Sequence, residues 1–299
     1  RVEVESLLAH EPASDAFLAV PALEDQVRAS AVASPETESL APGTRVGDYR
    51  IVRRLGEGGM GVVFEAIDAR LERRVALKLL RPESEDPAGH ARLVREARVA
   101  AKVVHPLVCQ VYELGDDSGR PFIAMELVEG ESLAERLARG PMPAADALRT
   151  AAIMLDALSI LHAHAIIHRD LKPSNVFLGP TGLKLLDFGL ARSVETTSEA
   201  TGQALTAAGM FVGTPQYASP EQLSGAAVDA RSDVFSAAVI AFEMLAGRPP
   251  FAGATFAALV HAVMFETPPV LSGSPAIAAA DRVLHRALAK SAGERHATA

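Results

Sequence analysis

Short stretches of alternating hydrophobic and polar residues begin at Tyr49 and are rich in β-branched side chains. "YRIVRRL", "GVVFEAID" and "RRVALKLL" follow one another, and a glycine-rich segment separates the first two. "VCQVYELG" and "RPFIAMELV" have the same character, which is typical of β-strands. Between these two groups, residues 90–104 have apolar positions at helical spacing and stop before Pro106. The pattern predicts a small sheet with one helix.

After residue 129 the hydrophobic positions recur mainly with the period of an α-helix. The predicted helices are Leu133–Arg139, Ala144–Ala165, Asp233–Ala246, Phe256–Phe265 and Ala279–Lys290. A strand-rich part followed by a helical part predicts an α+β fold with two lobes.

Residues 1–47 have a different composition, rich in Ala, Glu, Ser and Pro. "ASAVASPETESLAPG" is typical of a linker, and short helical patterns occur at Val4–His10 and Leu23–Ala33. We therefore expect residues 1–47 to form a helical and linker extension that is partly disordered.

Composition and net charge limit the classes of function that this chain can have. A chain of 299 residues with 49% hydrophobic content can bury a large core, and a net charge of -8 argues against a nucleic-acid partner. The single cysteine, Cys109, excludes an internal disulfide, fits a reducing compartment and is predicted to lie in the core. The longest apolar runs contain Asp156 and Glu243, so we expect no membrane span in this chain and a cytoplasmic location.

The segment "GEGGMGVVFEA" contains the pattern G-x-G-x-x-G at Gly56, Gly58 and Gly61. A dinucleotide fold would require a helix after these glycines, but a strand pattern follows. A Walker A loop would require Lys after the last glycine, and Val62 occupies that position. Two interpretations stay open at this point: a β-hairpin that covers nucleotide phosphates with its backbone N–H groups, or an ordinary hairpin turn.

Lys78 in "VALK" is one of five lysines in the chain, and strand alternation places it on the same face as Ala76. A lysine within an apolar strand is costly unless it is paired. Glu96, on the following predicted helix, is the best candidate for its acidic partner.

Two later segments, "HRDLKPSNVFL" and "LKLLDFGLAR", complete a set of motifs that resembles the eukaryotic-type protein kinase family. The resemblance extends from about Gly47 to Thr298. It implies a bilobal kinase domain over 48–299, with a small antiparallel-sheet N-lobe at 48–128 that holds one main helix. A larger, mainly helical C-lobe would occupy 129–299, and its C-terminus is expected to be truncated.

The resemblance also implies the site residues. Asp170 would accept the proton of the attacking hydroxyl, Lys172 would lie near the γ-phosphate, and Asn175 and Asp187 would bind Mg²⁺, with Mn²⁺ as an alternative ion. Lys78, held by Glu96, would contact the α and β phosphates. The implied ATP-binding residues are Leu55, Gly56, Glu57, Gly58, Gly59, Met60, Gly61, Val63, Ala76, Lys78, Met125, Glu126, Val128, Leu178 and Asp187.

Several details resemble bacterial serine/threonine kinases, in which the kinase domain often precedes a membrane span. Lys172 and Thr214 match the serine/threonine pattern, and Ser219-Pro220-Glu221 replaces the usual Ala-Pro-Glu. The resemblance implies that Glu221 pairs with Arg295 and that Asp233 anchors the loop that carries Asp170. Protein substrates with Ser or Thr and a dimer for autophosphorylation are the partners that it suggests.

Control by phosphorylation is a further expectation. The segment between Asp187 and Glu221 contains Thr196, Thr197, Ser198, Thr201 and Thr206. Arg169 is the residue that would receive a phosphate from this segment, and Thr206 is the favoured autophosphorylation site.

Two alternative functions share the fold. A nucleotide-binding pseudokinase would lack part of the charged set, but Lys78, Glu96, Asp170, Asn175 and Asp187 are all present. A small-molecule kinase of the antibiotic or choline type would lack Lys172 in this setting and the Ser219-Pro220-Glu221 segment.

Overall fold

A computed structural model of the chain describes residues 40–58, 61–80, 99–187 and 215–299. The strands are β1 Arg45–Val46, β2 Tyr49–Gly58, β3 Gly61–Asp68, β4 Arg73–Leu80, β5 Val111–Asp117, β6 Arg120–Glu126, β7 Glu131–Ser132, β8 Val176–Gly179 and β9 Gly182–Leu185. The described α-helices are α1 Leu133–Leu137, α2 Ala144–Ala163, α3 Pro220–Ser224, α4 Ala230–Ala246, α5 Phe256–Phe265 and α6 Pro275–Ala287.

The N-terminal part is one antiparallel sheet in the order β1-β2-β3-β4-β6-β5. All five strands predicted between Tyr49 and Val128 are present. β1 was not predicted, and its pairing with β2 brings Arg45 and Val46, assigned to the extension, into the sheet. Two residues are too few for a periodic pattern, so the sequence contained no signal for this strand.

The C-terminal part consists of helices around α4, together with the small sheet β7-β8-β9. Helix α4 is buried along most of its length. The side chain of Asp229 caps its N-terminus, and Gly247, with a φ of 72°, ends it in the left-handed conformation that glycine tolerates. The strand-rich and helical parts form the bilobal α+β arrangement that the sequence predicted.

Helix boundaries differ from the predictions where capping residues decide them. α6 begins at Pro275 rather than Ala279, because the Ser274 side chain accepts a hydrogen bond from the Ile277 N–H and proline fits the first turn. The short helix α3 was not predicted, since five residues give no clear period. The helix predicted over 90–104 falls largely outside the described residues.

Cys109 is 2% exposed, which confirms its predicted place in the core. Every helix in the described part of the chain is too short or too polar to span a bilayer.

Candidate active site

The loop before Asp170 is held by residues from two helices. Asp233, which is 1% exposed on α4, accepts hydrogen bonds from the His168 N–H at 2.8 Å and the Arg169 N–H at 2.9 Å. The side-chain amide of Gln222 on α3 donates to the Arg169 carbonyl at 2.7 Å. The prediction that Asp233 anchors this loop is therefore confirmed.

Asp170, Lys172 and Asn175 form one polar cluster between α2 and β8. Lys172 Nζ lies 2.8 Å from Asp170 Oδ2, and both side chains are about one quarter exposed. Asn175 Nδ2 donates to the Asp170 carbonyl at 2.8 Å and to Asp170 Oδ2 at 3.2 Å. The Leu186 N–H donates to the Asn175 carbonyl at 2.9 Å, which brings the segment that ends at Asp187 against the cluster.

Lys78 joins the two lobes at this point. Its Nζ lies 2.9 Å from Asp187 Oδ2, and its side chain is only 7% exposed. Burial acts to raise the pKa of Asp187, but the charge and hydrogen bond of Lys78 hold that pKa below its ordinary value. The predicted partner Glu96 lies outside the described residues, whereas the pairing of Lys78 with Asp187 was not predicted.

The β2–β3 hairpin lies beside Lys78, because Val63 on β3 is the register partner of Lys78 on β4. A β-bulge occurs at Leu55, between the pairs Arg54–Phe64 and Gly56–Val63. Gly58 pairs with Gly61 at the hairpin end. Gly59 and Met60 lie outside the described residues.

Two glycines of the hairpin differ in what surrounds them. Gly61 has a φ of 149°, and a Cβ there would lie 1.9 Å from the Leu79 carbonyl oxygen, so the backbone packing requires glycine. Gly56 has no atom of another described residue within 4 Å of the place where a Cβ would lie. Among the residues that the structure describes, none occupies the space that a Gly56 side chain would take.

Several of the predicted ATP-binding residues lie in the core or pack against it. Ala76 on β4 is the register partner of Met125 on β6, and they are 7% and 5% exposed. Val63, Val128 and Leu178 are partly buried and pack against the same core. Glu126 ends β6 and opens the connection to the C-terminal lobe, and Glu57 lies on β2 within the hairpin.

Sequence reasoning missed Lys184, whose Nζ lies 2.9 Å from Glu126 Oε2. The available signal was a lysine within the apolar strand "LKLL", which is the same signal that singled out Lys78.

The predicted pair between Glu221 and Arg295 is confirmed. Arg295 Nη1 and Nη2 lie 2.7 Å and 2.8 Å from the two carboxylate oxygens, and the Arg295 side chain is fully buried. Burial acts to raise the pKa of Glu221, but hydrogen bonds from Arg295 and Ser232 hold it below its ordinary value. This bidentate pair ties α3 to the end of the chain.

Thr196, Thr197, Ser198, Thr201, Thr206 and Thr214 all lie outside the described residues.

A family model described as protein kinase domain matches residues 49–280. The serine/threonine-protein kinase pkn2 of Myxococcus xanthus is 42% identical over 221 residues, which are 72% of this chain and 26% of that protein. The serine/threonine-protein kinase PknB of Mycolicibacterium smegmatis is 38% identical over 84% of this chain and 41% of its own length. Serine/threonine-protein kinase pkn3 of Myxococcus xanthus is 37% identical over 89% of this chain and 50% of its own length.

The crystal structure of the PknI kinase domain of Mycobacterium tuberculosis superposes with a TM-score of 0.69 at 30% identity. The match covers 87% of this chain and 94% of the PknI domain. By contrast, the chain spans between 26% and 50% of the length of the three curated relatives.

Proposed function

The chain belongs to the protein kinase family, and from that premise we propose that it transfers the γ-phosphate of ATP to Ser and Thr hydroxyls of proteins. The observation that carries the proposal is the convergence of Asp170, Lys172 and Asn175 with the Lys78–Asp187 pair. One proton acceptor, two cations and the oxygen ligands of a hard metal ion thus lie in one place.

Asp170 and Lys172 are proposed to act on the acceptor hydroxyl. Asp170 accepts its proton, and general-base catalysis of this kind contributes about 10²–10⁴-fold in rate. Lys172, 2.8 Å from the Asp170 carboxylate, places positive charge where negative charge develops on the transferred phosphate.

Asn175 and Asp187 are proposed to hold Mg²⁺, which carries the phosphates of ATP and neutralises their charge. Their oxygen atoms suit this hard ion. Within the residues that the structure describes, no group of three or more His, Cys, Asp or Glu side chains is placed to hold a metal. Phosphate and water oxygens would therefore have to complete the coordination, as is usual for Mg²⁺.

The hairpin and the sheet are proposed to bind the rest of the nucleotide. Gly56, where no described residue fills the place of a side chain, lets backbone N–H groups approach the phosphates, and Lys78 contacts the α and β phosphates. Val63, Ala76 and Leu178 enclose the adenine ring, and backbone groups of residues 126–128 hydrogen-bond to it.

We propose that the whole kinase unit, residues 48–299, acts in the cytoplasm on protein substrates, with 1–47 as an extension. Autophosphorylation between two copies is proposed to control it. Arg169, beside the catalytic Asp170, would pair with the phosphate, which would order the segment before Glu221.

Thr206 is the proposed site of this autophosphorylation. Mass-spectrometric mapping of phosphopeptides after incubation with Mg-ATP should find phosphate at Thr206, and Thr206→Ala should lower the turnover of added substrate. A mapped segment without phosphate between Thr196 and Thr206 would reject this site.

Incubation with γ-labelled ATP and Mg²⁺, using dephosphorylated casein as acceptor, tests the activity. Wild-type protein should transfer label that is recovered as phosphoserine and phosphothreonine, whereas Lys78→Met and Asp170→Asn should not. Equal labelling in all three proteins would reject the assignment. Nucleotide binding without transfer in the wild type would instead indicate a pseudokinase.

A further inference from the structure

Three segments from different parts of the fold meet where β6 ends at Glu126. The three segments are the end of β6, the loop 107–110 and strand β9. The Cys109 N–H donates to the Leu185 carbonyl of β9 at 2.9 Å. The Glu126 N–H donates to the Gln110 carbonyl, also at 2.9 Å. Backbone hydrogen bonds thus join the loop to both strands.

Lys184 links the two strands directly. Its Nζ lies 2.9 Å from Glu126 Oε2, and the two side chains are 15% and 27% exposed. The same carboxylate oxygen accepts the Gln110 backbone N–H at 3.3 Å. The side-chain amide of Gln110 donates in turn to the carbonyls of Ala101 and Val111. A lysine from the C-terminal lobe therefore closes a network that otherwise belongs to the N-terminal sheet.

The burial of Lys184 makes its contact with Glu126 sensitive to the separation of the two strands. Its own side chain is only 15% exposed, and a lysine shielded from water is costly unless its charge is paired. Moving β6 away from β9 would leave both charges poorly solvated and unpaired. The pair therefore favours one separation between the end of β6 and β9, although its net contribution to folding can be small.

We propose that Lys184 is a positioning residue for nucleotide binding, acting through Glu126; this inference rests on the proposed function. In the β8–β9 register Lys184 is opposite Phe177, on the other face of the hairpin from the adenine-site residue Leu178. Lys184 therefore acts without contacting the nucleotide. It lies three residues before Asp187, so the pair fixes the distance between the adenine end and the phosphate end of one ligand.

The test measures steady-state kinetics and Mg-ATP binding for Lys184→Met, Lys184→Gln, Lys184→Arg and Glu126→Gln. Loss of the pair should raise the KM for ATP and the Kd of Mg-ATP about three- to tenfold, which is in the lower part of the range of coupling between contacting residues. For the three Lys184 variants, the kcat at saturating ATP should stay within about twofold of wild type, since the chemical groups are unchanged. Lys184→Arg, which keeps the charge, should retain most of the affinity.

Controls separate positioning from a general structural role. Lys102→Met removes an exposed lysine and should leave the KM for ATP unchanged. The double variant Lys184→Met/Glu126→Gln should be no weaker in ATP affinity than the weaker single variant, because both remove one interaction.

An unchanged KM in folded Lys184→Met or Lys184→Gln would overturn the inference, as would losses that multiply in the double variant. The use of two variants at Lys184 keeps the test valid if one of them fails to fold. A wild-type protein that neither binds Mg-ATP nor transfers phosphate would refute the proposed function instead, so the two failures are distinguishable.

Discussion

Two residues of the candidate site, Arg169 and Asp187, have φ values of 65° and 55°. This left-handed conformation costs a residue with a Cβ about 1–3 kcal/mol and persists only where surrounding contacts compensate for it. The Arg169 N–H is held by Asp233, and the Asp187 carboxylate is held by Lys78. The geometry of the reacting groups therefore depends on partners that come from distant parts of the sequence.

The buried Glu221–Arg295 pair gives the first prediction. Arg295→Met should lower the free energy of unfolding by about 3–5 kcal/mol, because it leaves a carboxylate shielded from water without its charged partner. Urea denaturation followed by circular dichroism measures the change. Arg139→Ala, which breaks the more exposed Arg139–Glu131 pair, is the matched control and should cost much less. Similar losses in both variants would contradict this account.

The same pair predicts a pH dependence. The pKa of Glu221 in the folded state lies below its ordinary value of 4.5. The stability that this group contributes is therefore fully present above pH 4.5 and is lost as the pH falls through the folded-state pKa. Denaturation curves between pH 7 and about pH 3 should show a smaller acid-induced loss in Glu221→Gln than in wild type. An identical pH dependence would exclude the linkage.

For individual residues, the sequence predicted which side chains belong to the site better than it predicted which of them contact each other. The motif residues and the Glu221–Arg295 pair came from a resemblance that carries pairings with it. The Lys78–Asp187 and Lys184–Glu126 pairs were missed, because strand alternation specifies the face of a sheet but not which distant segment packs against it.

The β2–β3 hairpin shows how one element serves both packing and binding. Gly61 is required by the approach of the neighbouring strand β4, whereas a Cβ at Gly56 would meet no atom from the described part of the chain. Both glycines belong to the same sequence pattern, and only the structure shows that their surroundings differ. A similar limit applies to α6, whose first turn depends on Ser274 and Pro275 rather than on apolar spacing.

This difference predicts that substitution by alanine lowers stability at Gly61 but weakens ATP binding at Gly56. Gly61→Ala should destabilise the protein by about 1–3 kcal/mol, because its Cβ would overlap the Leu79 carbonyl. Gly56→Ala should leave the thermal midpoint nearly unchanged and raise the KM for ATP, since the new methyl group would enter the space proposed for the phosphates. Thermal unfolding and ATP titrations of both variants measure this. Equal destabilisation would contradict the assignment.

On the scale of the whole molecule, periodicity was sufficient to predict a sheet followed by helices, and the bilobal fold is confirmed. Periodicity could not predict how the lobes meet, because that depends on long-range ion pairs and on a loop that bonds to both sides. The junction is also where the proposed chemistry lies. We therefore expect separate measurements of nucleotide binding and of phosphate transfer to be the most informative about this protein.

The central claim is that Asp170 performs chemistry at a site where Lys78 and Asp187 hold the nucleotide. Calorimetric titration with Mg-ATP, paired with single-turnover transfer of labelled phosphate, tests it in wild type, Asp170→Asn and Asp187→Asn. Asp170→Asn should bind Mg-ATP within about threefold of wild type and transfer phosphate about 10²–10⁴-fold more slowly. Asp187→Asn should lose most of the Mg²⁺-dependent binding. Transfer at the wild-type rate by Asp170→Asn would contradict the account.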